Sequence, residues 1–264
     1  MKSMTLLFLL SLSLMAKVHY ARVEPYERVV LKAAVSGLVL DVDLEAEGTF
    51  VEHRCVVHID DVLQKENLKD SQASLLLLER MLEINHEIAE SLESTVKRQK
   101  GYYQRISILK TASKTQKDNA YSSYTSIKTQ YLSTKEKIVS LQKQIIDIKY
   151  RIAQLKDTIG KSSIFLSNRY LYKLMVRRGD YVNPGTALAE VQDASRAKLI
   201  LFLAPEELKA IADKKVYIDG KRTKYRVDKV WRVADKTFIS SYRAEIDLPA
   251  PKERFSQLVK VELK

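Results

Sequence analysis

VRRGDYVNPGTALAEVQD, Val176 to Asp193, decides how this chain folds. Gly179-Asp180 and Pro184-Gly185 are turn dipeptides, and Leu188-Ala189-Glu190-Val191 alternates apolar and polar or small residues as a strand does. The spacing predicts a β-hairpin in a small module pinned by glycines. The residues before it, however, read as nothing but helix from Asp61 to Ile159. The rest of the module must therefore lie on the far side of that helical segment.

No proline occurs between Pro25 and Pro184, and Gly101 is the only glycine from Asp61 to Ile159. Without breakers, very long helices are allowed. Periodicity makes the positive case. Leu75, Leu78, Leu82, Asn85, Ala89, Leu92, Val96, Gln99, Tyr103 and Ile106 step by three and four. So do Tyr124, Ile127, Tyr131, Thr134, Ile138, Leu141, Ile145, Ile148, Ile152, Leu155 and Ile159. These are two heptad seams, and the polar stretch Lys110–Ala120 between them is short enough for a reversal. The seams predict an antiparallel coiled-coil hairpin over 61–159. Met81, Ile84 and Ile88 form a second apolar stripe, either a widened hairpin core or a contact with a neighbouring subunit.

Between Ser94 and Lys117 the seven charged residues are all basic: Lys97, Arg98, Lys100, Arg105, Lys110, Lys114 and Lys117. Solvated helix faces usually mix signs, so a one-signed tip suits an acidic or carbonyl-rich partner. Over 264 residues the net charge is +12, with 30% charged and 45% hydrophobic residues. That is a globular composition with an anionic preference. No nucleic-acid motif accompanies the charge, so nucleic acid is not an expected partner.

The chain opens with Lys2, an apolar run from Met4 to Met15, and Ala16. This is the pattern of a secretory signal peptide over 1–16, with a second cleavage point after Ala21 and an uncleaved anchor as the alternative. The run is short of the roughly 20 residues that span a bilayer. Cys55 is the only cysteine, which excludes an internal disulfide framework.

The missing half-module lies just before the helices, in AAVSGLVLDVDLEAEGTFVEHRCVVHID (33–60). Gly48, Val51 and Asp60 echo Gly179, Val182 and Asp193, as in a β unit duplicated and then split by a helical insertion. Gly37, Gly48, Gly179 and Gly185 are the expected turn glycines. Beyond the second half, Leu199, Leu201 and Leu203 alternate as a strand, Pro205-Glu206-Glu207 opens a short helix, and KYRVDKVWRV and QLVKVELK alternate again.

In this order of segments the chain resembles the periplasmic adaptors, or membrane fusion proteins, of the haemolysin-D type. Gly179-Asp180-Tyr181-Val182-Asn183-Pro184-Gly185-Thr186-Ala187-Leu188 fits that family's G-D-x-V-x-x-G-x-x-L pattern throughout. The first half departs from it, with Arg54 where a second turn glycine belongs, and Arg169 likewise stands where the family has a glycine. The resemblance implies an elongated α+β fold, an antiparallel coiled-coil α-hairpin inserted in a lipoyl-like β-sandwich followed by a small β-barrel domain. Its expected divisions are an N-terminal strand and first lipoyl-like half over 22–60, the second half over 160–195 and the barrel over 196–264.

The resemblance also implies a function. The expected protein is a periplasmic adaptor of a tripartite efflux or secretion system, on the inner membrane of a Gram-negative envelope. Its partners would be an inner-membrane transporter of the ABC or RND type, an outer-membrane channel and further copies of itself in a ring. Tip contacts are expected at Arg105, Ile106, Leu109, Ser113, Lys114 and Lys117, since Ser113 and Ile106 stand where the family's channel-docking Ser and Leu recur. The alternative is an exported basic coiled-coil protein held to anionic envelope components, without a transport role.

No catalytic constellation is present: GxSxG, HExxH and phosphate-loop patterns are all absent. No cofactor is expected, because the helical insertion occupies the turn where a lipoyl carrier presents its lysine. His53 and Cys55 share a strand face and are the only metal candidates, with His58 expected on the opposite face.

Overall fold

The computed structural model describes residues 17–235, 237–251 and 255–264, and the expected signal segment, 1–16, lies outside the described residues. Two helices dominate. α1 (Val62–Ile108) and α2 (Lys114–Ser162) run antiparallel and are joined by a loop of only five residues, 109–113. At 1.5 Å per residue each arm is about 70 Å long.

Every residue of the two expected seams is buried or half-buried. Asn85, a polar seam position, is 6% exposed and donates its Nδ2 to the Met81 carbonyl at 2.7 Å, which satisfies it within its own helix. Lys149 and Glu79 pair at 3.1 Å across the hairpin and mark its register. The reversal is tighter than the polar stretch suggests because α2 begins already at Lys114. Ser113 caps it: its Oγ accepts from the Gln116 amide at 3.2 Å, and the Gln116 side chain accepts from the Ser113 amide at 2.9 Å.

At its base the hairpin opens from and returns to one sheet. β3 (Thr49–Ile59) leads into α1, and β4 (Ser163–Leu174) leaves α2 without a loop. The two pair antiparallel from Thr49↔Leu171 to His58↔Ser163. The split halves therefore do pair, as a hairpin insertion requires. β2 (Gly37–Val42) continues the sheet beyond β3, and β5 (Tyr181–Val182) pairs with β2 through Gly37↔Val182.

This pairing corrects the simple hairpin expected for 176–193. Val182 does not pair with the strand that follows it, β6 (Ala187–Leu203); it reaches across to the first half, while β4 takes the place beside β6. Turns at Gly179 (φ +95°) and Gly185 (φ +93°) allow the crossing, since both lie in the left-handed region. Gly37 serves differently. A Cβ there would lie 2.7 Å from Cγ2 of Ile59, so close approach demands the glycine. Arg169 needs no left-handed backbone, which falls on its neighbour Asn168 (φ 52°) instead.

The N-terminal strand belongs to two modules. β1 (Val18–Lys32) pairs with β6 along most of its length, yet its first residues, Val18 to Arg22, pair with β11 (Leu258–Leu263). β6 likewise passes from one module into the other. At the crossing, Pro25 pairs with Ala197 and Glu27 with Asp193, so β6 bulges outward over 194–196. Arg196 lies 3.7 Å over the Tyr26 ring at that point.

Each module has its own core. Val39, Val57, Ile59, Leu171, Leu174 and Leu188 fill the sandwich, and Leu199, Leu201, Leu203, Val216, Ile246 and Val261 fill the second module. The second is a small barrel. β7 (Val216–Ile218) and β8 (Lys221–Arg222) extend from β11, whereas β9 (Lys229–Ala234) and β10 (Tyr242–Pro249) extend from β6. Among the described residues β8 and β9 do not pair, so the barrel has a seam there. Ala21, 2% exposed in this core, makes a cut after that residue costly, because it would remove most of the β1–β11 pairing.

Candidate functional site: hairpin tip and flanks

The tip is built by the end of α1, the five-residue loop and the start of α2. Ile108 is 80% and Leu109 47% exposed, so two large apolar side chains stand at the extremity. Arg105, Ser113 and Lys114 are exposed there as well, while Ile106 and Lys117 are half-buried. The structure thus gathers all six expected tip residues at one end, but Ile106 sits in the seam and Ser113 is occupied as a helix cap. Ile108, which the sequence reading passed over, is more available than Ile106. Its signal is present: it lies off the seam next to a loop.

Electrostatically the tip is nearly uncompensated. Lys97 pairs with Glu93 at 2.8 Å, which draws the Glu93 carboxyl down and the Lys97 ammonium up through their shared hydrogen bond. Among the described residues Arg98, Lys100, Arg105, Lys110, Lys114 and Lys117 form no ion pair. A shallow groove of about 580 Å³ runs beside them, lined by Lys97, Arg98, Gln99, Gly101, Tyr102 and Arg105. Tyr103 packs against Tyr121 (5.3 Å) and Tyr124 (6.2 Å) below, which stiffens the tip.

The flanks carry the second apolar stripe. Met81, Ile84 and Ile88 are 43%, 47% and 44% exposed, so they lie outside the hairpin core. Exposed Leu77 extends the stripe along α1. A counterpart missed in the sequence runs along α2, where Leu132, Val139 and Ile146 are exposed at heptad spacing.

Heptad geometry places the two stripes. With the seam at positions a and d, the α1 stripe falls at c and g and the α2 stripe at b. Glu79 and Lys149, both at e, mark one side of the hairpin. The α2 stripe lies toward that side and the α1 stripe toward the other. The molecule therefore has two different apolar flanks at similar height.

The structure brings the three residues of the strand cluster, His53, Cys55 and His58, to one edge of the β3–β4 ladder. A bulge between Cys55 and Val57 shifts the register, so His58 pairs with Ser163 while Cys55 pairs with Phe165 and His53 with Ser167. All three lie on one face, contrary to the expected split, because the extra residue reverses the alternation. Each is otherwise engaged: His53 Nδ1 with Ser167 Oγ (2.9 Å), His58 Nδ1 with Ser163 Oγ (2.8 Å), and the Cys55 thiol with the Val57 carbonyl (3.5 Å). Among the described residues no group of three His, Cys, Asp or Glu is placed to hold a metal ion. Burial holds the Cys55 thiol above its ordinary pKa. No described helix is long and apolar enough to cross a membrane.

No protein-family model matches the sequence, and no curated protein sequence does either. Solved structures match closely in shape. MacA from Actinobacillus actinomycetemcomitans superposes with a TM-score of 0.72 at 16% identity, over 94% of this chain and 78% of that one. The membrane fusion protein Spr0693 from Streptococcus pneumoniae R6 gives 0.64 at 10% identity, over 94% and 99%. A MacA–MexA chimera carrying the Pseudomonas aeruginosa MexA α-hairpin gives 0.60 at 17%, over 94% and 81%. The hairpin, the split sandwich and the shared-strand barrel together give this chain the membrane fusion protein fold.

Proposed function

We propose that the protein is a periplasmic adaptor of an efflux or secretion system, in which a ring of copies links an inner-membrane transporter of the ABC or RND type to an outer-membrane channel. The observation that carries this reading is the hairpin itself. It is about 70 Å long, carries six cations without an ion pair over its outer turns, with exposed Ile108 and Leu109 at the extremity, and bears two dissimilar apolar flanks. A protein that acted alone would gain nothing from such flanks, and exposed apolar stripes of this kind mark association surfaces.

The flanks support a ring rather than a two-fold dimer. An isologous dimer joins a patch to itself, whereas two different patches join head to tail, the contact a ring requires. Height supports the same reading. Ile84 lies five residues outward from Glu79, and Ile146 three outward from Lys149, a difference of about 3 Å along the axis. Neighbouring copies can therefore stand side by side without a large axial shift.

The tip would dock by placing its cations against acidic or carbonyl groups while Ile108 and Leu109 fill an apolar recess. Cellular photocrosslinking from Leu109 tests this. Capture of an outer-membrane channel, lost with Lys110→Glu and Lys114→Glu together, is the expected result. Failure to capture any channel from Leu109 or Ile108 refutes the docking role. If the protein is instead held to anionic envelope polymers by charge alone, its attachment collapses at a few tenths molar salt, where screening lengths fall to roughly 5 Å.

A further inference from the structure

At the barrel end remote from the hairpin, register brings two unusual surfaces together. Val18 pairs with Glu262, Leu263 with Val216, and Tyr242 with both Leu203 and Ala234. These residues therefore mark one rim. From it emerge the segment before β7 and the turn joining β9 to β10.

The first surface is a basic cleft of about 470 Å³ at the β8 side of the open barrel seam. Lys214, Lys215, Arg222, Lys224 and Arg226 line it, against a single carboxylate, Asp213. Lys214 Nζ donates to the Glu207 backbone carbonyl at 2.7 Å, a neutral acceptor that leaves its charge uncompensated. Among the described residues the other four cations form no ion pair. The remaining acids of this rim are mostly spoken for: Glu207 by His19 (2.6 Å) and Lys17 (3.6 Å), Glu262 by Lys264 (2.6 Å) and Lys260 (3.0 Å). Asp235 accepts from the Thr237 and Phe238 amides, and exposed Glu206 alone stands free of these arrangements.

The second surface is apolar. Ile239 is 83% exposed at the apex of the β9–β10 turn and Val233 77% exposed beside it. The apex is held out rather than floppy: the Asp235 amide donates to Ser241, the Ser241 amide donates to Phe238, and the Phe238 ring packs on Phe202 at 4.3 Å. Water gains nothing from a rigid turn that presents isoleucine. An apolar apex beside clustered Lys and Arg matches the interfacial layer of a bilayer, where the apolar side chain enters the acyl boundary and cations meet phosphates.

We propose that this rim seats the barrel on an anionic phospholipid surface, with Ile239 inserted and Arg222, Lys224 and their neighbours on lipid phosphates. The contact is additional to adaptor assembly and does not rest on it. Planar guanidinium forks suit phosphate oxygens.

The test is co-sedimentation of the full chain with vesicles of phosphatidylglycerol and phosphatidylethanolamine, against pure phosphatidylcholine, at 0.1 M salt. Each cleft cation removed should weaken anionic-vesicle binding about fivefold, so Arg222→Gln with Lys224→Gln together weaken it about 25-fold. Ile239→Ser should weaken it on the order of tenfold. Lys137→Gln with Lys143→Gln, an equal charge loss on α2, should change it less than twofold. All these positions are exposed, and circular dichroism of each variant checks that it folds. Equal binding to both vesicle types, no binding, or an equal loss from the α2 pair overturns the proposal. So does release by inorganic phosphate beyond that of chloride at matched ionic strength, which would make the cleft a soluble-phosphate site. An Ile239→Trp variant in a Trp231→Phe background, quenched by brominated lipid, reports insertion directly; absence of quenching overturns it.

Discussion

Two single substitutions decide whether copies of this protein join head to tail: Ile84→Asp on the α1 flank and Ile146→Asp on the α2 flank. Ile84 is 47% and Ile146 68% exposed. Covering what remains open is worth roughly 1 kcal/mol for the first and 1.5 for the second, taking about 1.5–3 kcal/mol for a fully buried aliphatic side chain. The larger effect comes from the new charge. A carboxylate trapped in an apolar contact costs several kcal/mol, so each variant should weaken self-association by at least about 3 kcal/mol, more than 100-fold in Kd. Because both positions face solvent in the single chain, thermal stability should stay within about 0.5 kcal/mol of the parent.

Mixing is the discriminating step. In a head-to-tail contact each variant spoils one flank and keeps the other. Ile84→Asp retains a sound α2 flank and Ile146→Asp a sound α1 flank, so an equimolar mixture should form heterodimers and stop there. Sedimentation velocity would show two non-associating variants and a mixture sedimenting as a dimer. If Ile146→Asp alone associates as the parent does, the α2 stripe is not part of the contact. If the mixture stays monomeric although both variants are individually deficient, the two flanks do not meet each other and the ring geometry is wrong.

Other consequences follow from single residues. Gly185→Ala and Gly37→Ala should each destabilise the sandwich by about 1–2 kcal/mol, for opposite reasons. In denaturant unfolding, Gly185→Asn should be milder than Gly185→Val, and only Gly37→Ala should be non-additive with Ile59→Ala, which removes the atom it strikes. Ser113→Ala should cost the start of α2 about 1 kcal/mol, seen as faster hydrogen exchange at residues 114–117, while Ser113→Asp preserves protection. Asp193 has its pKa lowered, chiefly by the Ser195 hydroxyl and also by Arg169. Its stabilising contribution is thus present above the unfolded carboxylate pKa and is lost as pH falls through the folded value. Ser195→Ala should lower stability at pH 7, and the difference should shrink as acid protonates Asp193. Since burial raises the Cys55 pKa, iodoacetamide should modify it more slowly than a free thiol at pH 8, and 8 M urea should abolish the difference.

What the sequence shows of this fold follows the range of the forces involved. The heptad seams are local, repeated signals, and each seam residue was identifiable from spacing because a coiled coil buries residues by their position on one helix. Gly179 and Gly185 were legible for a similar reason, since left-handed backbone is a property of single residues. Strand partners were less so: Val182 pairs with Gly37, 145 residues away, and nothing in either segment names the other. The bulge at Cys55–Val57 was invisible for the same reason, as an extra residue is defined only against the partner strand, and it carried His58 to the other face. The exposed α2 stripe was present as a seven-residue repeat, Leu132, Val139 and Ile146, but sat one position from the stronger seam residues Tyr131, Ile138 and Ile145 and was masked by them.

The same contrast bears on where the molecule can bend. β1 and β6 run unbroken through both β modules, paired on either side of the bulge at 194–196. Tilting the barrel against the sandwich must therefore bend two continuous strands or slip their ladders. The hairpin is attached otherwise. It meets the sandwich at two adjacent chain crossings, Asp61 entering α1 and Ser162 leaving α2. There Asp61, 2% exposed, is held by Lys65 (2.9 Å) and lies 3.6 Å from His58. A rod of about 70 Å on so narrow a base amplifies small rotations, so a change of 5° there displaces the tip by roughly 6 Å. Bending is therefore expected first where the hairpin joins the sandwich, in the short span between Ile59 and Lys65 and at Ser162, rather than between barrel and sandwich.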